Sequence, residues 1–249
     1  MCIFVARIVS LRMIKIPVFL CLILLCWQHL SAQDSLRRIT DRHAANYMSA
    51  VSNHAVLFSG SRQQPLTQYL LNHQYLIDEN YVSGRLSYNG VVYPDVLLRW
   101  DLYRDELLIL SPAFYSIVLN YENIDFAELH GYRIFYLYPN GFPGCPPAGN
   151  YILLHSGNHL LIEKLIKSLV WDTKSSKRAE YYCILSTTFY LQKDGVYYKI
   201  RNRRTLLQSL DTHRKELRRF IRANDLRYRH DAEKTVLEVV KEHEKLSRL

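Results

Sequence analysis

Asn89-Gly90 is the pair of residues that most restricts what this chain can become. It joins Arg85-Leu86-Ser87-Tyr88 to Val91-Val92-Tyr93, and a two-residue Asn-Gly link between apolar-rich runs predicts a type I′ β-hairpin. Both central residues of such a turn need positive φ, which Asn tolerates and Gly adopts freely. Two more strand–turn–strand units follow the same grammar. Tyr151–Leu154 leads through Ser156-Gly157-Asn158 into Leu160–Ile162, and Thr188–Leu191 leads through Lys193-Asp194-Gly195 into Val196–Tyr198. Uneven spacing between these turns argues against a propeller or repeat array. A single antiparallel body explains them more simply.

Composition supports a strand-rich reading, with 19 Tyr against 9 Phe and 3 Trp. Tyrosine suits half-buried strand positions, its ring inward and its hydroxyl near water. Around the first hairpin, Pro94-Asp95 predicts a break, followed by a strand from Val96 to Leu102. A turn at Arg104-Asp105 then leads into Leu107–Leu110, which Ser111-Pro112 ends. Tyr115–Leu119 and Tyr132–Tyr138 are further strands. Pro139 to Gly149 is a loop, holding four prolines and three of the nine glycines. A strand follows it rather than a helix, which argues against a phosphate-cradling loop.

The grammar changes near Arg203. Leu206, Leu207, Leu210, Leu217, Phe220 and Ile221 recur at three- and four-residue steps, the period of a helix. Asp211 divides this region, Asn224 stops it, and Asp231 is a good N-cap for a last helix. The fold class expected is therefore α+β: a predominantly antiparallel β meander, sandwich or partial barrel, followed by a C-terminal helical hairpin. In residue ranges, 55–200 is the β-rich domain and 201–249 a basic α-helical segment.

Before these lie two segments of different character. Arg7, Arg12 and Lys15 precede the apolar run Ile16–Trp27, and Ser31-Ala32 follows. This reads as a secretory signal peptide over 1–32, with an uncleaved anchor as the alternative. Residues 33–54 read as a linker or short helix. The expected location is exported, periplasmic or associated with the outer membrane, with no transmembrane helix after signal removal. Cys145 and Cys183 would then be the thiols that remain. They could pair in an oxidising compartment, or Cys183 could be a buried small hydrophobe within its strand.

Net charge is +9 for the whole chain and is unevenly placed. Residues 33–200 balance, whereas Arg201–Leu249 carries 14 Lys and Arg against 8 Asp and Glu. Arg214, Lys215, Arg218, Arg219 and Arg222 form the candidate contact surface. Its expected partner is an envelope protein or an anionic envelope surface, and export makes nucleic acid an unexpected one. A solvated helix face, partly neutralised by Glu216 and nearby acids, is the plainer reading.

Catalytic and metal signatures are sparse. The sequence contains no Gly-x-Ser-x-Gly, Ser-x-x-Lys or His-Glu-x-x-His, so nucleophilic and zinc hydrolases lack their marks. Asp101, Asp105 and Glu106 lie close together, and Asp105 and Glu106 read as turn residues before the group reads as an acid–base pair. His155 and His159 flank a turn without an evident third ligand. No catalytic, cofactor-binding or metal residue is assigned, and no cofactor is expected. The alternative to a non-catalytic interaction or structural module is an enzyme or small-ligand binder using a pocket in the β domain, near Asp101, Tyr103 and His130.

Three segments carry a resemblance: SYNGVVYPDVLLRWDLYRDELLIL at 87–110, AELHGYRIFYL at 127–137, and the run from Phe189 to Val240. In order and spacing they resemble a family of uncharacterised exported proteins of the Bacteroidetes. The resemblance implies export and a similar architecture, and it implies no activity or catalytic residue.

Overall fold

Tight turns with two left-handed residues set the register of the sheet. In the computed structural model, which describes residues 56–173 and 179–248, Asn89 and Gly90 have φ of 53° and 73°. They join β2 (Val82–Tyr88) to β3 (Val91–Asp101), as the Asn-Gly pair predicts. Asp194 and Gly195, at 51° and 75°, do the same for β10 (Glu180–Lys193) and β11 (Val196–Ile200). A further turn of this kind uses His130-Gly131, at 53° and 81°, between β6 (Ile124–Leu129) and β7 (Tyr132–Leu137). The signal peptide expected over 1–32 and the linker over 33–54 lie outside the described residues.

The remaining strands are β1 (Tyr69–Leu70), β4 (Glu106–Leu110), β5 (Ser116–Val118), β8 (Gly149–Ser156) and β9 (Leu160–Trp171). All eleven described strands join one sheet, ordered β1-β10-β9-β8-β7-β6-β2-β3-β4-β5, with β11 also on β10. It comprises two meanders, β2 to β5 and β6 to β11, fused where β2 pairs antiparallel with β6. Among the described strands, only β1 pairs in parallel. The sandwich expected as one possibility is therefore replaced by a single sheet.

Pro94-Asp95 does not break the chain. Gly84 pairs with Val96 and Leu86 with Tyr93, so Arg85 alone faces both Pro94 and Asp95. This is a β-bulge, with Asp95 at φ 57°, and a bulge tolerates the missing proline donor. Gly84 beside it is required by space, since a Cβ there would run into the Glu128 carbonyl oxygen.

The sheet curls strongly. Beyond the end of β3, the Leu102 carbonyl accepts from the Lys167 amide of β9 at 3.0 Å, and the Leu102 amide donates to Gln74 O at 3.0 Å. Strands far apart in the sheet order are thereby brought together, and the β3–β4 turn reaches β8 and β9. Trp100 and Leu98 of β3 and Leu107, Leu108 and Ile109 of β4 are fully buried.

Three helices follow the sheet, divided near Asp211 and Asn224 as the sequence suggests, within the segment expected as a helical hairpin: α1 (Arg203–Leu210), α2 (Arg214–Ala223) and α3 (Ala232–Leu246). Asn202 and Thr205 form a capping box for α1, and the Asp231 carboxylate accepts from the Lys234 amide to cap α3. Asp211 and His213, at φ 49° and 52°, turn the chain sharply between α1 and α2. Leu206, Leu207, Leu210, Leu217, Ile221, Val236, Val239 and Val240 share one core cluster with Leu161, Phe189, Leu191 and Ile200 of the sheet. Each such side chain contributes about 1.5–3 kcal/mol by leaving water. The helical segment is thus built onto the sheet rather than held apart from it.

Candidate functional site

The core stripe of α2 decides where its cations go. Leu217 and Ile221 are buried in the shared core. Arg214, Arg218 and Arg222, at four-residue steps, drift only slowly around the helix and border that stripe on the side of α1. There they meet Arg203 and Arg204 from the first turn of α1. With Leu207 and Gln208, these five arginines line a groove of about 510 Å³. All five are exposed.

None of the five guanidinium groups has a carboxylate within ion-pair distance among the described residues. Arg133, Arg227 and Arg248 do have such partners. Glu216, expected to neutralise part of the face, is not one for the groove arginines. Within the groove, the Arg222 Nε–H donates to the Arg218 carbonyl at 3.3 Å, leaving its terminal nitrogens free for an external acceptor. Guanidinium presents a planar fork of donors suited to phosphate and carboxylate oxygens. Five of them around one concavity focus a positive potential that only an anion relieves.

Of the residues named from sequence, Arg214, Arg218 and Arg222 therefore converge. Lys215 and Arg219 are exposed on α2 but do not line the groove. Arg203 and Arg204 were missed. Their contribution depends on the turn through Asp211 and His213, which folds α1 beside α2.

None of the described pockets is lined by Asp101, Tyr103 or His130. Asp101 is fully buried and acts as a turn cap. Its Oδ1 accepts from the Tyr103 and Arg104 amides, each at 3.0 Å, and its Oδ2 from Gln63 Nε2 at 3.0 Å. Tyr103 is exposed in the turn that follows, while His130 belongs to the β6–β7 turn. Asp105 has a partner that its turn position did not disclose: the buried Lys164 of β9, with Nζ 2.5 Å from Oδ2.

His155 and His159 are held by α3. His155 Nε2 stands 3.1 Å from Glu244 Oε2, and the His159 amide donates to Glu244 Oε1 at 2.8 Å. The rings of His159 and His243 meet at 3.1 Å, and His243 Nε2 lies 2.8 Å from Thr212 Oγ1. Burial pushes both His159 and His243 below the ordinary histidine value, which favours the neutral rings that such a contact needs. Among the described residues, no group of three or more His, Cys, Asp or Glu side chains is placed to hold a metal ion. Cys145 and Cys183 are both free. Cys183 is buried in β10, so of the two readings of that thiol the structure takes the small hydrophobe.

No family model, curated protein or solved structure matches this chain. The arginine groove thus stands on its geometry and charge.

Proposed function

We propose that this chain is an exported, non-catalytic envelope protein whose arginine groove docks on a phosphate-bearing lipid surface. The observation that carries the reading is the convergence of five exposed guanidinium groups, from two helices, with no carboxylate within ion-pair distance among the described residues. Like charges packed this closely repel one another, and the repulsion is relieved when an anion enters. The apolar faces of the same helices are already buried against the sheet, so charge is what this surface offers a partner. No described helix is long and apolar enough to cross a membrane, which says nothing of spans made by strands. The resemblance to exported Bacteroidetes proteins is consistent with an envelope location.

Docking of this kind adds about 1 kcal/mol per arginine near an anionic surface. Charge reversal by Arg218→Glu with Arg222→Glu removes two favourable charges and introduces two unfavourable ones. The double variant should leave the envelope fraction for the soluble fraction, with binding weakened by about 100-fold or more. Its thermal unfolding should stay close to that of the parent, because both side chains are exposed. Unchanged fractionation of a folded variant would remove the docking role. Release from intact envelopes together with failure to bind lipid vesicles would move the partner from lipid to the acidic face of an envelope protein.

A further inference from the structure

Strand β9 carries two ionisable residues in succession, Glu163 and Lys164. The period of a strand sends them to opposite faces of the sheet. Lys164 finds Asp105. Glu163 goes to the face that the helices cover, in line with Leu161 and Leu165, and only 3 % of it remains exposed. Its Oε2 is buried without any hydrogen-bond partner. An unpaired carboxylate in such a place is costly, and native structures seldom keep one without a use for it.

Glu163 lines a cavity of about 530 Å³, bounded by β7, β9, β10, the Leu76-Ile77 segment and the start of α3. The volume is within the range of small-molecule sites. About half of its lining is apolar, with Leu76, Leu102, Leu165 and Phe189 among those residues. Every titratable group around it can be named. Tyr132 comes from β7, Lys167 from β9, and His230, Asp231 and Glu233 from the approach to α3 and its first turn. Tyr132 and Glu233 are close enough to perturb each other's titration. The Lys167 ammonium donates to the His73 and Tyr75 carbonyls at 2.9 and 2.6 Å, so its donors are spent away from Glu163. Acidic groups therefore outnumber the cation, and the most buried of them is unpaired.

We propose that this cavity binds an organic ammonium ion on an apolar stem, with the Glu163 carboxylate as its counter-charge and Glu233 as a second acidic neighbour. The apolar walls receive the stem. The ammonium supplies the donor that Glu163 Oε2 lacks, and the acidic excess selects a cation over a neutral or anionic group of the same shape. Burial, with the neighbouring Glu233 charge adding to it, pushes the Glu163 carboxyl up to about 8. At neutral pH, entry of a cation must therefore displace a proton, and the site couples binding to proton release.

The test uses the full chain and n-hexylammonium as probe, with n-hexanol as the uncharged control and Nα-acetyl-lysine methylamide as a lysyl side chain. Calorimetry at pH 7 in two buffers of different ionisation enthalpy counts the protons. We expect saturable binding of hexylammonium, release of close to one proton, and an affinity that rises with pH and levels off above about pH 8. Hexanol should bind at least tenfold more weakly, since a hydrogen bond to a charged group is worth about 1.5–3 kcal/mol. Glu163→Gln keeps the shape and should lose tenfold or more in affinity while abolishing proton release. Glu233→Gln should lose less and retain the release. Tighter binding of the lysine derivative would identify the cation as a partner's side chain, and tighter binding of hexylammonium would identify it as a free amine. Equal binding of hexanol, an unaltered Glu163→Gln variant, or no hexylammonium binding between pH 6 and 9 would each overturn the proposal.

Discussion

Asp105→Ala should destabilise the protein by about 3–5 kcal/mol, the usual cost of leaving a buried charge without its partner. Asp105 joins the β3–β4 turn to strands that lie far away in the sheet order. Its Oδ2 accepts from Lys164 Nζ at 2.5 Å and from the Asn150 amide at 3.1 Å, and its backbone carbonyl accepts from Asn150 Nδ2 at 2.7 Å. Lys164 is 6 % exposed. Without Asp105 it keeps only the Asn150 carbonyl at 2.9 Å and the face of Tyr151 at 4.8 Å.

Burial already pulls the Lys164 ammonium below its ordinary value, against the Asp105 charge that raises it. Removing that charge favours the neutral amine. Asp105→Asn separates the effects, because asparagine also tolerates the left-handed backbone found here at φ 59°. It should therefore cost nearly as much as alanine. Pairing Asp105→Asn with Lys164→Met keeps a residue that tolerates this backbone and should recover much of the loss, since no buried charge is then left to desolvate. Urea unfolding of the four proteins measures this. A loss below about 1 kcal/mol for Asp105→Ala would place the pair in the class of solvated surface bridges and remove it as the fastening of the curled sheet.

Glu163→Gln should act in the opposite direction and stabilise the protein above neutral pH. The sign follows from proton binding. Glu163 titrates near 4.5 when unfolded and at about 8 when folded. Between those values the folded state holds a proton that the unfolded state has released. Parent stability therefore falls as pH rises through this window, by about 1.4 kcal/mol per unit, and levels above pH 8. Glutamine has no such proton. The difference between variant and parent should be small at pH 4.5 and grow to several kcal/mol by pH 8.

His159 and His243 act with the reverse sign, because their folded values are lowered. They withdraw stability as pH falls below the ordinary histidine value, but they do so equally in both proteins and cancel in the difference. Chemical unfolding across pH 4.5 to 9 measures it. A flat difference would mean that Glu163 is ionised and solvated in the folded protein, and the ammonium site would lose its counter-charge as drawn.

Local chemistry explains what was legible in the sequence. Asn89-Gly90 and Asp194-Gly195 specify their turns with two residues each, and the helical period of Leu206 to Ile221 displays its own buried face. Asp231 and Asn224 sit where a cap and a stop were expected. His130-Gly131 was harder to see, because histidine is a less usual first residue of such a turn. Pro94 predicted a break where the strand continues, since a bulge accommodates proline only in the context of the strand paired with it.

The sites depend on distant packing. Arg203 and Arg204 join the groove through the fold of one helix against the next. In LLIEKLIK, adjacent Glu163 and Lys164 look like the polar end of a strand. They are buried because α3 covers one face of β9 and the β3–β4 turn reaches the other. Neither covering element lies near them in sequence, so no local pattern disclosed that both charges are inside.

Co-sedimentation with lipid vesicles across a salt series tests the docking role most directly. Vesicles containing phosphatidylglycerol should bind the parent protein, and neutral phosphatidylcholine vesicles should not. Five arginines at about 1 kcal/mol each set an upper bound of about 5 kcal/mol on the preference, and affinity should decline steeply as salt shortens the screening length from about 8 Å toward 3 Å. Equal binding to both vesicle types, or binding to the anionic ones that persists unchanged in 1 M salt, would contradict docking through the arginine groove.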